Sequence, residues 1–243
     1  MLTAIAIIPS APVMLPELAG AATAEVADLS AAVLAAADAL PPRWVAVGVG
    51  PAEHPDVVVG RHRTGTFAGY GADVRVTLAP EGARDGNAPT ELPLCALITG
   101  WVRGLAAPRA RAEVRVFAAG HDTAAALERG RRLRTELDEA RDPIGVLVVA
   151  DGAHTLTPAA PGGYDPSAAA VQDRLDAALA DGDAAALTGL PPSVVGRVAF
   201  AVLAGLTEPG PSSARELYRG APYGVGYFAG VWRPRESARP AAP

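Results

Sequence analysis

The chain alternates between short, nearly continuous apolar runs and longer stretches with helical spacing. Four runs read as strands: "TAIAIIP" (3–9), "RWVAVGVG" (43–50), "AEVRVFAAG" (112–120) and "IGVLVVADG" (144–152). The second and fourth are almost unbroken in Val, Ile, Leu and Ala, the pattern of a strand covered on both faces. "ADVRVTLAP" (72–80) alternates apolar and polar residues, so an edge or half-exposed strand is expected. "GVGYFAGVW" (224–232) is a last, aromatic strand.

Helical patterns fill the intervals. Residues 22–40 place Val26, Leu29, Val33, Leu34 and Leu40 near one face. Residues 93–106 are apolar nearly all round, as in a buried helix. Residues 122–140 start at Asp122, a good N-cap, and align Leu127, Leu133 and Leu137. Residues 165–183 open with Asp-Pro, a favourable helix entry, and 191–206 form a further buried helix. Strands alternating with helices of this length predict an α/β fold: a central, largely parallel (mixed) sheet with helices on both faces. One domain over residues 1–232 is expected. Residues 79–93 read as a polar surface loop and 233–243 as a disordered tail.

Composition narrows the function. Half of the 243 residues are hydrophobic, enough for a sizeable core. The formal net charge of −5 and the lack of a basic stripe give no reason to expect nucleic acid, which leaves a small-molecule ligand. All 21 basic residues are Arg, so Schiff-base chemistry and a phosphate-loop lysine are excluded. Cys95 is the single cysteine, in an apolar context that predicts an inert core thiol. The first residues lack the basic region of a signal peptide, and no window approaches the ~20 apolar residues of a membrane span. A cytoplasmic protein with no membrane association is expected.

In α/β folds, ligands collect beyond the carboxyl ends of the strands. The first strand ends at Ser10, in "PSAP"; the second at "GPAEH", with Glu53 and His54; the 144–152 strand at "ADGAH", with Asp151 and His154. Tyr223 precedes the last strand. Two histidines with one carboxylate on a face are the ligand set of non-haem iron sites. Read alone, His54 is a hydrogen-bonded loop residue. His154 and Asp151 are either a crevice acid–base pair or a turn cap beside a histidine bonded to a loop carbonyl. His62 lies between two arginines in a solvated loop, and His121 has a local role at a helix start. No G-x-S-x-G elbow and no G-x-G-x-x-G junction occurs, so a nucleophilic serine hydrolase and a Rossmann dinucleotide site are not expected.

The order of elements, with "IIPSAPVMLPELAG", "VVADGAH…YDPSAAAVQDRLDAAL", "VVGRVAFAVLAG" and "APYGVGYFAGVW", resembles the class III extradiol ring-cleavage dioxygenase family, on the side of its catalytic chain. The resemblance is to the actinobacterial branch of that family and, more distantly, to Memo-like proteins. It implies a non-haem Fe(II) or another divalent metal. A metal-binding His after the first strand is replaced here by Ser10. His54 stands near the second metal-ligand position and His154, with Asp151, at the acid–base position. A late carboxylate ligand has Glu208 and Glu216 as candidates. Loss of an imidazole to a neutral hydroxyl weakens Fe(II) binding. Two functions therefore stay open. One is a small-molecule- or partner-binding protein with a degraded metal site. The other is a dioxygenase-like oxidoreductase acting on a catechol-type or other small aromatic substrate. A homo-oligomer is expected, with the aromatic last strand suited to an interface.

Overall fold

Seven strands join in one sheet in the order β3-β6-β2-β7-β1-β9-β8. The computed structural model describes residues 1–83 and 88–236. In chain order, the first elements are β1 (Leu2–Ile8), α1 (Pro16–Ala19), α2 (Ala27–Asp38), β2 (Arg43–Gly50) and β3 (Val57–Val59). Next come β4 (Thr64–Thr66), β5 (Arg75–Thr77), α3 (Leu94–Ala106), β6 (Arg111–Ala118), α4 (Thr123–Glu139) and β7 (Ile144–Val149). The chain closes with α5 (Ala168–Asp181), α6 (Arg197–Thr207), β8 (Ser213–Gly220) and β9 (Tyr227–Arg233).

The centre of the sheet, β6-β2-β7-β1, is parallel. β3, β9 and β8 each run antiparallel to the strand beside them. This is the α/β architecture with a largely parallel, mixed sheet and helices on both faces that the sequence predicts. The apolar runs of β1 and β7 follow from that covering. Ala4, Ala6 and Ile8 of β1 pack with α2 and α3, while Ile5 and Ile7 pack with α4, α5 and α6. All six residues of β7 are buried.

Residues 75–77 pair with 64–66 in a separate two-stranded unit, and their alternating exposure is that of the half-exposed strand expected. Two local outcomes differ from the sequence reading. β9 lies between β1 and β8 with six of its seven residues buried, so its aromatic side chains pack inside the chain. At the end of the chain, Arg233 closes β9 and Arg235 Nε donates to the Gly210 carbonyl at 3.1 Å. The rest of the expected tail, 237–243, lies outside the described residues, as do 84–87 of the polar loop.

The two helical layers are fixed by close backbone approaches. A Cβ on Gly130 of α4 would stand 2.2 Å from the Val202 carbonyl oxygen, and one on Gly205 of α6 would stand 2.1 Å from that of Leu127. On the other face, Gly48 of β2 lies under Cys95 of α3. That thiol is buried, and desolvation pushes its pKa up to about 12, as an inert core residue should show. Among the described residues, no helix is long and apolar enough to cross a membrane.

Candidate functional site

The chain leaves β1 towards the α2–α3 face and leaves β7 towards the α5–α6 face. Adjacent parallel strands whose connections diverge in this way open a crevice between their carboxyl ends. Ser10 and Asp151 meet there. The parallel register pairs Ile8 with Val149, and the Ala150 N–H continues the ladder to the Ile8 carbonyl at 2.9 Å. Two residues beyond each strand end, the Ser10 backbone N–H donates to Asp151 Oδ1 at 2.8 Å and its hydroxyl donates to Oδ2 at 2.6 Å. The residue as a whole keeps some exposure, but the Asp151 carboxyl lies inside. Burial raises its pKa above the ordinary carboxylate value, against the lowering effect of both Ser10 hydrogen bonds.

The loop carrying Asp151 is clamped from both sides. The Gly152 N–H donates to the Gly226 carbonyl at 2.8 Å, and the Gly226 N–H donates to the Ala153 carbonyl at 2.8 Å. On the other side, the Gly196 N–H donates to the Asp151 carbonyl at 2.8 Å and the Val195 N–H to that of Gly152 at 3.1 Å. Gln172, buried on α5, accepts from the Ala153 N–H at 2.8 Å and donates to Asp176 at 2.8 Å. Its amide fills the space that a side chain at Gly152 or Gly226 would need. These contacts hold the Asp151 backbone independently of any ligand.

His154 is half-buried, and its Nδ1 donates to the Ser193 carbonyl at 2.9 Å. In the neutral ring, Nε2 is then the acceptor. Gly162 packs on that edge: a Cβ there would stand 2.6 Å from Nε2. Of the two alternatives left open by the sequence, His154 takes the bond to a loop carbonyl. Asp151 reaches across to the next strand instead of capping its own turn. The Thr155 hydroxyl beside them is buried with no hydrogen-bond partner.

Glu53 and His54 sit elsewhere. Both are exposed on the turn after β2. That turn leans on the end of β6, where Ala52 lies against Gly120 and Asp56 accepts from the Ala118 N–H at 3.0 Å. Asp56 also binds His121 Nε2 at 2.6 Å and Arg129 Nε at 2.6 Å, and hydrogen bonding draws its pKa down despite the desolvation that opposes it. His121 thus ties the β2–β3 turn to the start of α4, where Asp122 caps the helix by accepting from the Ala125 N–H. His62 accepts a hydrogen bond from Arg61 Nε in an exposed loop.

Tyr223 lies in the loop before β9, and its hydroxyl donates to Glu25 Oε2 at 3.0 Å, joining that loop to the segment after β1. Tyr227 is the residue that sequence reasoning missed. It is 6% exposed, and burial, then the charge of Asp151, holds its phenol well above the usual value. The signal was its place in the aromatic last strand, which suggested an outward-facing surface.

A divalent metal of the kind implied by the family resemblance needs converging donors. The residues present do not fit one. Ser10 spends its hydroxyl proton on Asp151, Nδ1 of His154 is turned to a carbonyl, and His54 lies on the β6 side. Glu208 is bound by Arg131 and Glu216 by Arg219. Among the described residues, no three His, Cys, Asp or Glu side chains come together as a metal site.

No protein-family model and no curated protein matches the chain. Among solved structures, it is similar to uncharacterized protein JW3007 from Escherichia coli K12, at 10% identity and a TM-score of 0.53. The match covers 94% of this chain and 99% of that one. The likeness is one of fold.

Proposed function

We propose that this protein binds a small molecule in the β1–β7 crevice, without a resident divalent metal, on a scaffold like that of the class III extradiol dioxygenases. The observation that carries this reading is the Ser10–Asp151 pair: a buried carboxyl loaded with two donors from Ser10, the residue that the family resemblance sets in place of a metal-binding His. Asp151 is the group disposed to hold a proton towards the ligand, because burial raises its pKa. Tyr227 supplies a second polar group against an apolar wall. Tyr223 and Glu25 flank the entrance. The same reading takes the protein as cytoplasmic, in keeping with its acidic balance and its single buried thiol.

The test is anaerobic Fe(II) titration followed by oxygen uptake with catechol, beside an NMR screen of small polar molecules. Expected are no stoichiometric Fe(II) binding, no oxygen uptake, and ligand-induced shifts at Ser10, Asp151 and Tyr227. Stoichiometric Fe(II) with catechol-dependent oxygen uptake would reverse the conclusion in favour of the ring-cleaving enzyme. Shifts confined to residues outside the crevice would remove the site.

A further inference from the structure

We propose that the protein has a second binding site, at the amino edge of the sheet, for a small molecule that carries an oxyanion on an apolar body. The site does not depend on the reading of the β1–β7 crevice, which lies at the opposite edge. A cavity of about 590 Å³ opens between the starts of β2, β6 and β7 and the carboxyl end of α4. That volume suits a small organic ligand. Val45, Leu137, Pro143 and Ile144 contribute apolar wall.

Four guanidinium groups also line the cavity, those of Arg43, Arg61, Arg111 and Arg115. Arg111 is engaged by Glu81, and Arg115 by Glu113 and Glu136. Among the described residues, Arg43 and Arg61 make no ion pair. Asp142 is the carboxylate of the wall that is likewise outside any ion pair; with Glu81 counted, four arginines meet four carboxylates, so the positive character is local to Arg43 and Arg61. One further detail favours an anion. The carbonyls of Ala140 and Asp142, at the negative end of α4, are already taken by the Met1 nitrogen at 2.7 and 2.9 Å. Planar guanidinium forks match phosphate and carboxylate oxygens alike, so the shared chemistry of the ligand is the oxyanion.

Calorimetric titration with phenyl phosphate, benzoate and inorganic phosphate at low ionic strength tests this. Binding of phenyl phosphate or benzoate is expected, and whichever binds identifies the oxyanion. It should weaken tenfold or more in Arg43→Ala/Arg61→Ala and be unchanged or tighter in Asp142→Asn. Both arginine side chains are exposed, and circular dichroism confirms that the variant is folded; should it not be, the two single substitutions carry the same test. Inorganic phosphate binding as tightly as phenyl phosphate means an adventitious ion only and overturns the proposal. So does the absence of binding, binding that survives loss of both arginines, or binding abolished by Asp151→Asn, which would move the ligand to the other edge.

Discussion

Ser10 gives both its backbone N–H and its hydroxyl to the carboxylate of Asp151, a residue 141 positions further along the chain. The two meet because β1 and β7 are parallel neighbours and each strand ends two residues earlier. The pair ties the two strand ends together and engages the Ser10 hydroxyl proton.

Asp151 should therefore respond differently to two substitutions. Asp151→Ala removes both acceptors and leaves the Ser10 N–H unsatisfied, at a cost of about 1–3 kcal/mol. Asp151→Asn keeps an acceptor for the N–H and removes the buried charge. The folded pKa is raised, so the stability linked to this group is fully present below the ordinary carboxylate pKa and is lost as pH rises through the folded value. Urea unfolding should show Asp151→Asn gaining on the parent protein as pH rises from acid to about pH 8. A parent protein that gains on the Asn variant over that range would refute the assignment.

Asp176 offers a second pH-dependent contribution. Burial raises its carboxyl to about 6, partly offset by the hydrogen bond from Gln172 and the charge of Arg219. The associated stability is present below about 4 and lost as pH rises through about 6. Asp176→Asn retains an acceptor for Gln172 and should be more stable than the parent at pH 8 by on the order of 1 kcal/mol, with partial solvent screening reducing the gain. At about pH 4 the two should unfold at the same urea concentration. A difference that does not vary with pH would show that packing, not ionisation, is responsible.

The α4–α6 contact is backbone against backbone at Gly130 and Gly205. Alanine at either position drives a methyl group into a carbonyl that belongs to a packed helix. Each substitution should cost about 3 kcal/mol, at the upper end of overpacking effects, and the double variant should lose less than the sum because one shift of α6 relieves both clashes. Chemical denaturation of the two single variants and the double measures this. Additive losses would mean that the helices yield independently at the two points.

Cys95 should be unreactive in the folded protein. Its thiol is buried, and its pKa of about 12 leaves almost no thiolate at pH 8. Labelling by a thiol reagent should follow the unfolding rate across a urea series. Fast labelling in the absence of urea would show that α3 opens locally.

Tyr223 should matter little to stability. Its hydrogen bond to Glu25 is exposed, so Tyr223→Phe should leave the urea midpoint of unfolding essentially unchanged. A clear fall in the midpoint would show that the segment after β1 is held chiefly by this bond.

The buried strands and the long helices were legible in the sequence because a strand covered on both faces has to be apolar throughout. Residues 43–50 and 144–149 carry that signature without help from the rest of the chain, and so does α3, which is apolar nearly all round. β3 has three residues and β8 has the polar sequence "SARELYRG", so neither produces a pattern of its own; each is a strand because a neighbour supplies hydrogen bonds. The site divides in the same way. Ser10, Asp151 and His154 were visible as residues beyond strand ends, since a strand end is a local property. Which strand ends lie side by side is not local. The order β2-β7-β1 joins Ser10 to Asp151, while the turn after β2 carries His54 towards β6, and that choice rests on hydrogen bonds between residues far apart in the chain.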